Sequence, residues 1–464
     1  MECGVVHNDA PNVNERVLVI TAGIGLFLST LDTGIINVAL PTLSRVLHTS
    51  VTTIAWTVTL YTIALTGTII IFGRLSDRYG RLRIYTLGLI LFALFSALCG
   101  LSHSAAELIA FRTIQGIGAA MLQATAAAII TTSIPPHRRG SALGTLGVLM
   151  GLGPVLGPSV GGVLISLGGW PWIFWINLPI ALTGLIGCRY LFRRITEEHS
   201  LIQLNVSGNT LLSLSMLALL QGLAMWPSVG LSKPMTYIPL GIFIMVFILF
   251  LINQLYVKQP IVDLHLFSKG RFSAPMLAIF VFGGASSMGF IIPPFFLERV
   301  THLTPWQVGL VNLSSPLGIV LLSKVSGRLM DRWGTTRLMV TGLIIMFISY
   351  TVLGQMQVSW NPLVVSLLLL LYGAGGGLFL SPNIAAIMST VARDAQGTIG
   401  AVQRMVQNLG IAVYTAVAAA LLLANSNGTG LGLIHGFHLA WDFAAATILC
   451  SIIMFLTTYS RYSR

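Results

Sequence analysis

A phrase of eleven residues is written twice in this chain, as GRLSDRYGRLR at 73–83 and as GRLMDRWGTTR at 327–337. Each copy follows one long apolar run and precedes another, and the two lie more than half the chain apart. A Gly, an Asp and several Arg set in the same places between hydrophobic spans indicate a duplicated membrane protein. Internal repeats of this kind build many secondary transporters.

Composition supports the membrane reading independently. Of 464 residues, 55% are hydrophobic and 8% are charged, against about 25% charged in a soluble domain. A soluble fold could not bury so much apolar surface and keep a wetted exterior. Apolar stretches of about 20 residues are each enough to cross a ~30 Å hydrocarbon core. Fourteen occur, near 17–40, 53–73, 84–102, 105–130, 141–165, 172–192, 207–228, 235–256, 273–297, 307–327, 337–355, 361–390, 397–424 and 435–458. The net charge of +12 is distributed against a nucleic-acid function. With the N-terminus inside, the basic residues fall in cytoplasmic segments, except Arg45, Lys233 and Arg299 outside and Arg112 and Arg404 within spans. This positive-inside pattern puts both termini in the cytoplasm of a multi-pass cell-membrane protein, a bacterial inner or plasma membrane being expected.

Cys3, Cys99, Cys188 and Cys450 form no metal-spaced or CxxC set, so neither a disulfide nor a metal site is expected. The polar first 16 residues read as a tail, with no signal peptide. Asn205-Val206-Ser207 and Asn427-Gly428-Thr429 match the glycosylation pattern and are read as chance.

The repeat fixes the organisation. Its copies lie between spans two and three and between spans ten and eleven. Two halves of six spans then start at spans one and nine, leaving spans seven and eight as an inserted hairpin. The expected layout is a tail (1–16), an N-terminal six-helix bundle (17–192), a linker (193–206), the hairpin (207–256), a second linker (257–272), a C-terminal six-helix bundle (273–458) and a tail (459–464). The fold class is an all-α membrane protein of fourteen helices.

Several motifs now resemble one family. Gly73-Arg74-Leu75-Ser76-Asp77-Arg78-Tyr79-Gly80-Arg81 is similar to the loop signature of the major facilitator superfamily, and Arg112, Gln115, Gly116 and Gly118 to its fourth-span signature. Gly144, Gly153, Gly157, Pro158, Gly161 and Gly162 match the spacing that marks its antiporters. Leu31-Asp32, Asn37-Val38-Ala39-Leu40-Pro41, the 260–272 segment and the 172–179 run resemble the fourteen-span drug:proton antiporter branch. The chain departs from the branch at Gly34, Pro171, Asn205 and Thr335-Thr336.

Each constellation carries an expectation beside a plainer reading. Gly73, Asp77, Arg78, Gly80 and Arg81, with Gly327, Asp331 and Arg332, are expected to form a state-dependent latch. The acid would pair with Arg and with a helix N-terminus, and the glycines would permit close helix approach; the plainer reading is a solvated topogenic loop. Asp32 sits ~12 Å below the outer boundary and Arg112 ~10 Å deep at 1.5 Å per residue, so the two can meet. A charge at that depth is costly unless paired or hydrated. Burial and an Arg partner act on protonation in opposite senses, so Asp32 and Arg112 are candidates for proton coupling, or else a fixed ion pair. The glycine-rich fifth span is expected to bend and pack closely; the family resemblance implies that it favours exchange over symport.

Asp32, Tyr61, Gln115, Asn383, Arg404, Gln407 and Asn408 are candidates to line a substrate cavity. A buried Arg404 should face the bundle interior or water, to bind an anionic group or an acid, or else snorkel to the surface. His438 and Asp442, four apart on one helix face, and Glu298 are weaker relay candidates, Glu298 being read first as an exposed acid.

The leading expectation is a proton-coupled antiporter that exports amphipathic or cationic small molecules by alternating access. With no Walker sequence and no cofactor motif, the proton gradient supplies the energy. The alternatives are an exporter of one metabolite, siderophore or lipid, and a non-transporting membrane sensor. No enzyme constellation is visible. The expected partners are a small-molecule substrate, protons and the lipid bilayer, for a chain acting as a monomer.

Overall fold

A computed structural model describes residues 14–195, 197, 205–257, 260–261, 263–301, 303–424 and 430–462. The N-terminal tail before Asn14, Cys3, most of the 193–206 linker and the Asn427 sequon lie outside the described residues. In chain order the helices are α1 (Glu15–Val46), α2 (Val51–Tyr79), α3 (Arg81–Gly100), α4 (Ala105–Ser133), α5 (Pro136–Gly168), α6 (Trp172–Trp175), α7 (Asn177–Phe192), α8 (Val206–Val229), α9 (Pro234–Tyr256), α10 (His265–Ser268), α11 (Gly270–Arg299), α12 (Pro305–Asn312), α13 (Ser314–Trp333), α14 (Thr335–Leu353), α15 (Pro362–Met388), α16 (Gln396–Ala424) and α17 (Gly430–Tyr462).

Local chemistry sets the ends. Ser50, Ser104 and Asn361 accept the first-turn N–H groups of Thr53, Glu107 and Leu363, which would otherwise be orphaned. Gly80 (φ 108°) and Gly334 (φ 77°) close α2 and α13 at matching points of the two repeat copies, in a conformation open to glycine. Asn205 caps α8 through Gly208 N–H and also bonds Asn253, so its sequon match serves a buried helix cap.

Thirteen spans among the described residues are long and apolar enough to cross a membrane. The sequence predicts fourteen. The missing one is α5, a helix of 33 residues whose side chains at 154, 155, 158 and 159 lie outside the described residues. Two predicted spans are broken rather than continuous. The sixth is α6 and α7, which meet at Ile176, and the tenth is α12 and α13, which meet at Leu313.

Packing repeats along the chain. α1 packs on α4, α5 and α7, α4 on α2 and α3, and α3 on α7. The same pairings recur as α11 on α15, α16 and α17, α15 on α13 and α14, and α14 on α17. Across the two sets, α2 lies against α16 as α13 lies against α5. α8 packs on α9, and also on α2 and α16. α9 turns Ile238, Ile242, Ile244, Ile248 and Leu255 outward.

Candidate functional site

The deepest polar cluster lies inside the first set of helices. Asp32 of α1 is 2% exposed, and Arg112 of α4 is fully buried. Arg112 Nη1 donates to Asp32 Oδ2 at 2.5 Å and to Gln115 Oε1 at 2.7 Å. Gln115 Nε2 donates to Ser96 Oγ at 2.6 Å and reaches Asp32 Oδ1 at 3.4 Å. Asn177 Nδ2, at the start of α7, donates to Asp32 Oδ1 at 3.0 Å and to Ser96 at 3.1 Å. Two other helices, α4 and α7, thus bond one carboxylate of α1, and α3 joins them through Ser96, as a charge in an apolar interior demands. The Arg112 guanidinium lies 4.3 Å from the Tyr61 ring centre and 5.8 Å from that of Phe174, so its faces meet aromatic π density.

The predicted Asp32–Arg112 meeting is therefore present, with Gln115 and Tyr61 beside it. Ser96 and Asn177 were not foreseen as members. Ser96 gives no sequence signal beyond a neutral polar side chain inside an apolar run, while Asn177 lies in the 172–179 run that carries part of the family resemblance.

The glycines of α5 back this cluster. A Cβ on Gly153 would stand 2.6 Å from Leu31 N, and one on Gly157 would stand 2.7 Å from Gly34 Cα. Gly161 faces Ile35. α5 therefore lies directly on the backbone of residues 31–35, on either side of Asp32. Gly162 faces open space, while Gly144 turns to α13, with Ser323 O 2.7 Å from its virtual Cβ. The Pro158 and Asp331 side chains lie outside the described residues.

A second cluster joins the two sets of helices at the arginine-rich end. Asp77 accepts from Gly397 N at 2.9 Å, Thr398 N at 2.7 Å and Thr398 Oγ1 at 2.8 Å. These are first-turn groups of α16, where N–H groups point outward and negative charge is favoured. Arg81 Nη2 donates to Asp77 at 2.9 Å. Gly73 sits tightly on the same turn, its virtual Cβ 2.8 Å from Gly397 O. Gly327, its repeat partner, would drive a Cβ into the carbonyl of Gly140 on α5. Arg78 and Arg332 are exposed, and Arg78 stacks on Tyr79.

A third group sits between these layers. Arg404 of α16 is 4% exposed. Its Nη1 donates to Gln407 Oε1 at 2.9 Å on its own helix and to Met150 Sδ at 2.8 Å on α5. Among the described residues its Nε and Nη2 have no hydrogen-bond partner, and neither has the amide of fully buried Gln403. Asn408 is half-buried nearby in sequence.

Three candidates stand apart from these groups. Asn383 bonds Pro275 O at 2.9 Å and ties α15 to α11. His438 and Asp442, the weaker relay candidates, face different partners: His438 Nε2 bonds Met356 O at 2.8 Å, while Asp442 is exposed. Their shared helix face points one to a neighbouring carbonyl and the other outward. Glu298 is exposed. No metal-ligating group of three side chains occurs among the described residues.

The family model for the Major Facilitator Superfamily matches residues 22–415 and 275–463. The chain belongs to the major facilitator superfamily. Its relatives include the riboflavin transporter RibZ of Clostridioides difficile (strain 630), 31% identical over 420 residues covering 86% of each protein. The tetracenomycin C resistance and export protein of Streptomyces glaucescens is 27% identical over 422 residues, 90% of this chain and 78% of that protein. The superfamily proton:xylose symporter XylE superposes with a TM-score of 0.67 at 16% identity, over 95% of this chain and 94% of that one. The protein is a multi-pass superfamily transporter of small molecules, not an enzyme.

Proposed function

We propose that this superfamily member is a proton-coupled antiporter that exports amphipathic small molecules. Six helices, α8–α9, and six more form two bundles and an inserted hairpin, with α5 as the fourteenth span and the arginine-rich end in the cytoplasm. One bundle rocks on the other around a central site. The observation that carries this reading is the Asp32 cluster. The buried Asp32 carboxylate is held by Arg112, Gln115 and Asn177, and the glycine face of α5 lies against its helix. In this reading, proton arrival at Asp32 loosens its hold on α4 and α7, and the glycine-packed α1–α5 seam transmits the change. Asp77 clamps α16 in the outward-facing state and releases it when the bundles tip inward.

Asp32→Asn tests the coupling. In proteoliposomes with an imposed pH gradient the variant should lose gradient-driven export and keep equilibrium substrate binding. Undiminished gradient-driven export by the variant removes Asp32 from the mechanism.

A second reading, export of one metabolite, draws support from RibZ, whose name gives riboflavin as its substrate. A flux panel containing riboflavin and unrelated amphipathic dyes separates the two. Export of riboflavin alone supports the second reading, and export across the panel supports the first.

A further inference from the structure

The Asp32 cluster is neutral as a unit, because Asp32 and Arg112 compensate each other. Arg404 has no such partner. No carboxylate of the described residues pairs with it, and Gln407 and Met150 are its only hydrogen-bond partners there. A guanidinium cannot shed its proton, and an uncompensated charge so far from water is unfavourable. The site therefore holds a positive charge that something else must answer.

Position and geometry say what would answer it. Arg404 reaches from α16 to α5, so it crosses between the two sets of helices. It lies ~12 Å from the start of α16 at 1.5 Å per residue. Toward the arginine-rich end, the layer below it is sealed by Gly140 against Gly327 and by Asp77 on the α16 N-terminus. Its free atoms are Nε and Nη2, which together form one complete edge of the guanidinium. That edge is the one that takes a carboxylate in two parallel hydrogen bonds. Gln407 holds Nη1 and fixes the plane. Met150 also meets Nη1, from α5, through a flexible side chain whose sulfur is a weak acceptor.

We propose that the free edge of Arg404 is a substrate subsite for an anionic group, so that this transporter takes amphipathic carboxylates and similar anions in preference to organic cations. The inference rests on the exporter reading above and names its substrate class. The substrate anion docks on Nε and Nη2, beside the Nη1 that Gln407 and Met150 hold, while its apolar body lies between α5 and α16.

Equilibrium binding tests this without a gradient, so it stands or falls separately from proton coupling. The purified full chain in detergent is titrated with 5-carboxyfluorescein and with rhodamine 123, which share a xanthene ring and differ in charge. Binding is read by fluorescence anisotropy. The anionic dye should bind at least about tenfold more tightly than the cation, and Arg404→Gln should remove about tenfold of that affinity. Arg404→Lys, which keeps the charge and loses the fork, should fall between. Met150→Leu removes the sulfur from Nη1 and leaves the Nε–Nη2 edge in place, so it should bind the anion at least as tightly as the parent. Asp32→Asn should keep the preference even where it has lost driven flux. Rhodamine 123 binding as well as or better than the anion, or anion affinity unchanged in Arg404→Gln, overturns the proposal. If Arg404→Gln does not yield a monodisperse protein, the parent's charge preference and Met150→Leu decide it alone.

Discussion

At the residue scale, the Asp32 carboxylate spends both oxygens on three partners from two other helices. Removing one side of such a pair strands the other in an apolar interior. Arg112→Ala should therefore destabilise the protein by about 3–5 kcal/mol, read as a lowered midpoint of thermal unfolding in detergent. Asn177→Ala removes one donor and keeps the ion pair, so its cost should be smaller, about 1–3 kcal/mol. The pair itself was legible in the sequence because a charge within an apolar run is expensive and needs a partner at matching depth. Asn177 and Ser96 were not legible as partners. Neutral polar side chains are cheap enough to sit in many places, and only the fold shows which ones meet. Arg404 was legible as buried, and its lack of a counter-charge was not.

At the element scale, α5 and α16 do equivalent work in the two halves. Each begins at the arginine-rich end against a repeat glycine, Gly327 for α5 and Gly73 for α16. Gly157 has no room for a side chain against Gly34. Gly157→Leu should push α5 away from α1 at a cost of about 1–3 kcal/mol, and driven export should fall with it. Asp77→Asn keeps one acceptor and loses the charge. Hydrogen bonds to a charged group contribute about 1.5–3 kcal/mol, so the variant should favour the inward-open arrangement by at least about tenfold. Faster thiol labelling of a cysteine placed at Ala401, which faces Gly73 across the same seam, would report it. The two matching loops were legible because the phrase is repeated. The breaks at Ile176 and Leu313 were not foreseen, although each is followed three residues on by a proline, Pro179 and Pro316, which removes a helix hydrogen bond.

At the scale of the whole molecule, the proposed rocking of one bundle on the other must open the α5–α13 seam. A Cβ on Gly147 would lie 3.5 Å from Ser323 Cβ, within the range that a disulfide bridges. Gly147→Cys with Ser323→Cys, in a background lacking Cys3, Cys99, Cys188 and Cys450, should arrest export on oxidation and recover it on reduction. Uninterrupted export by the oxidised protein would place the working motion elsewhere. The membrane class and the internal duplication were legible from the apolar runs and the repeated phrase, but not which seams touch, because contact between halves depends on glycines facing each other across the sequence.

The duplication is not carried through at the flanks. α8 lies along α2 and α16, and no corresponding helix pair among the described residues lies along α5 and α13. Lipid or a neighbouring protein arriving from the two sides therefore meets unlike walls: one armoured by an extra layer faced with isoleucine, the other bare to the joint itself.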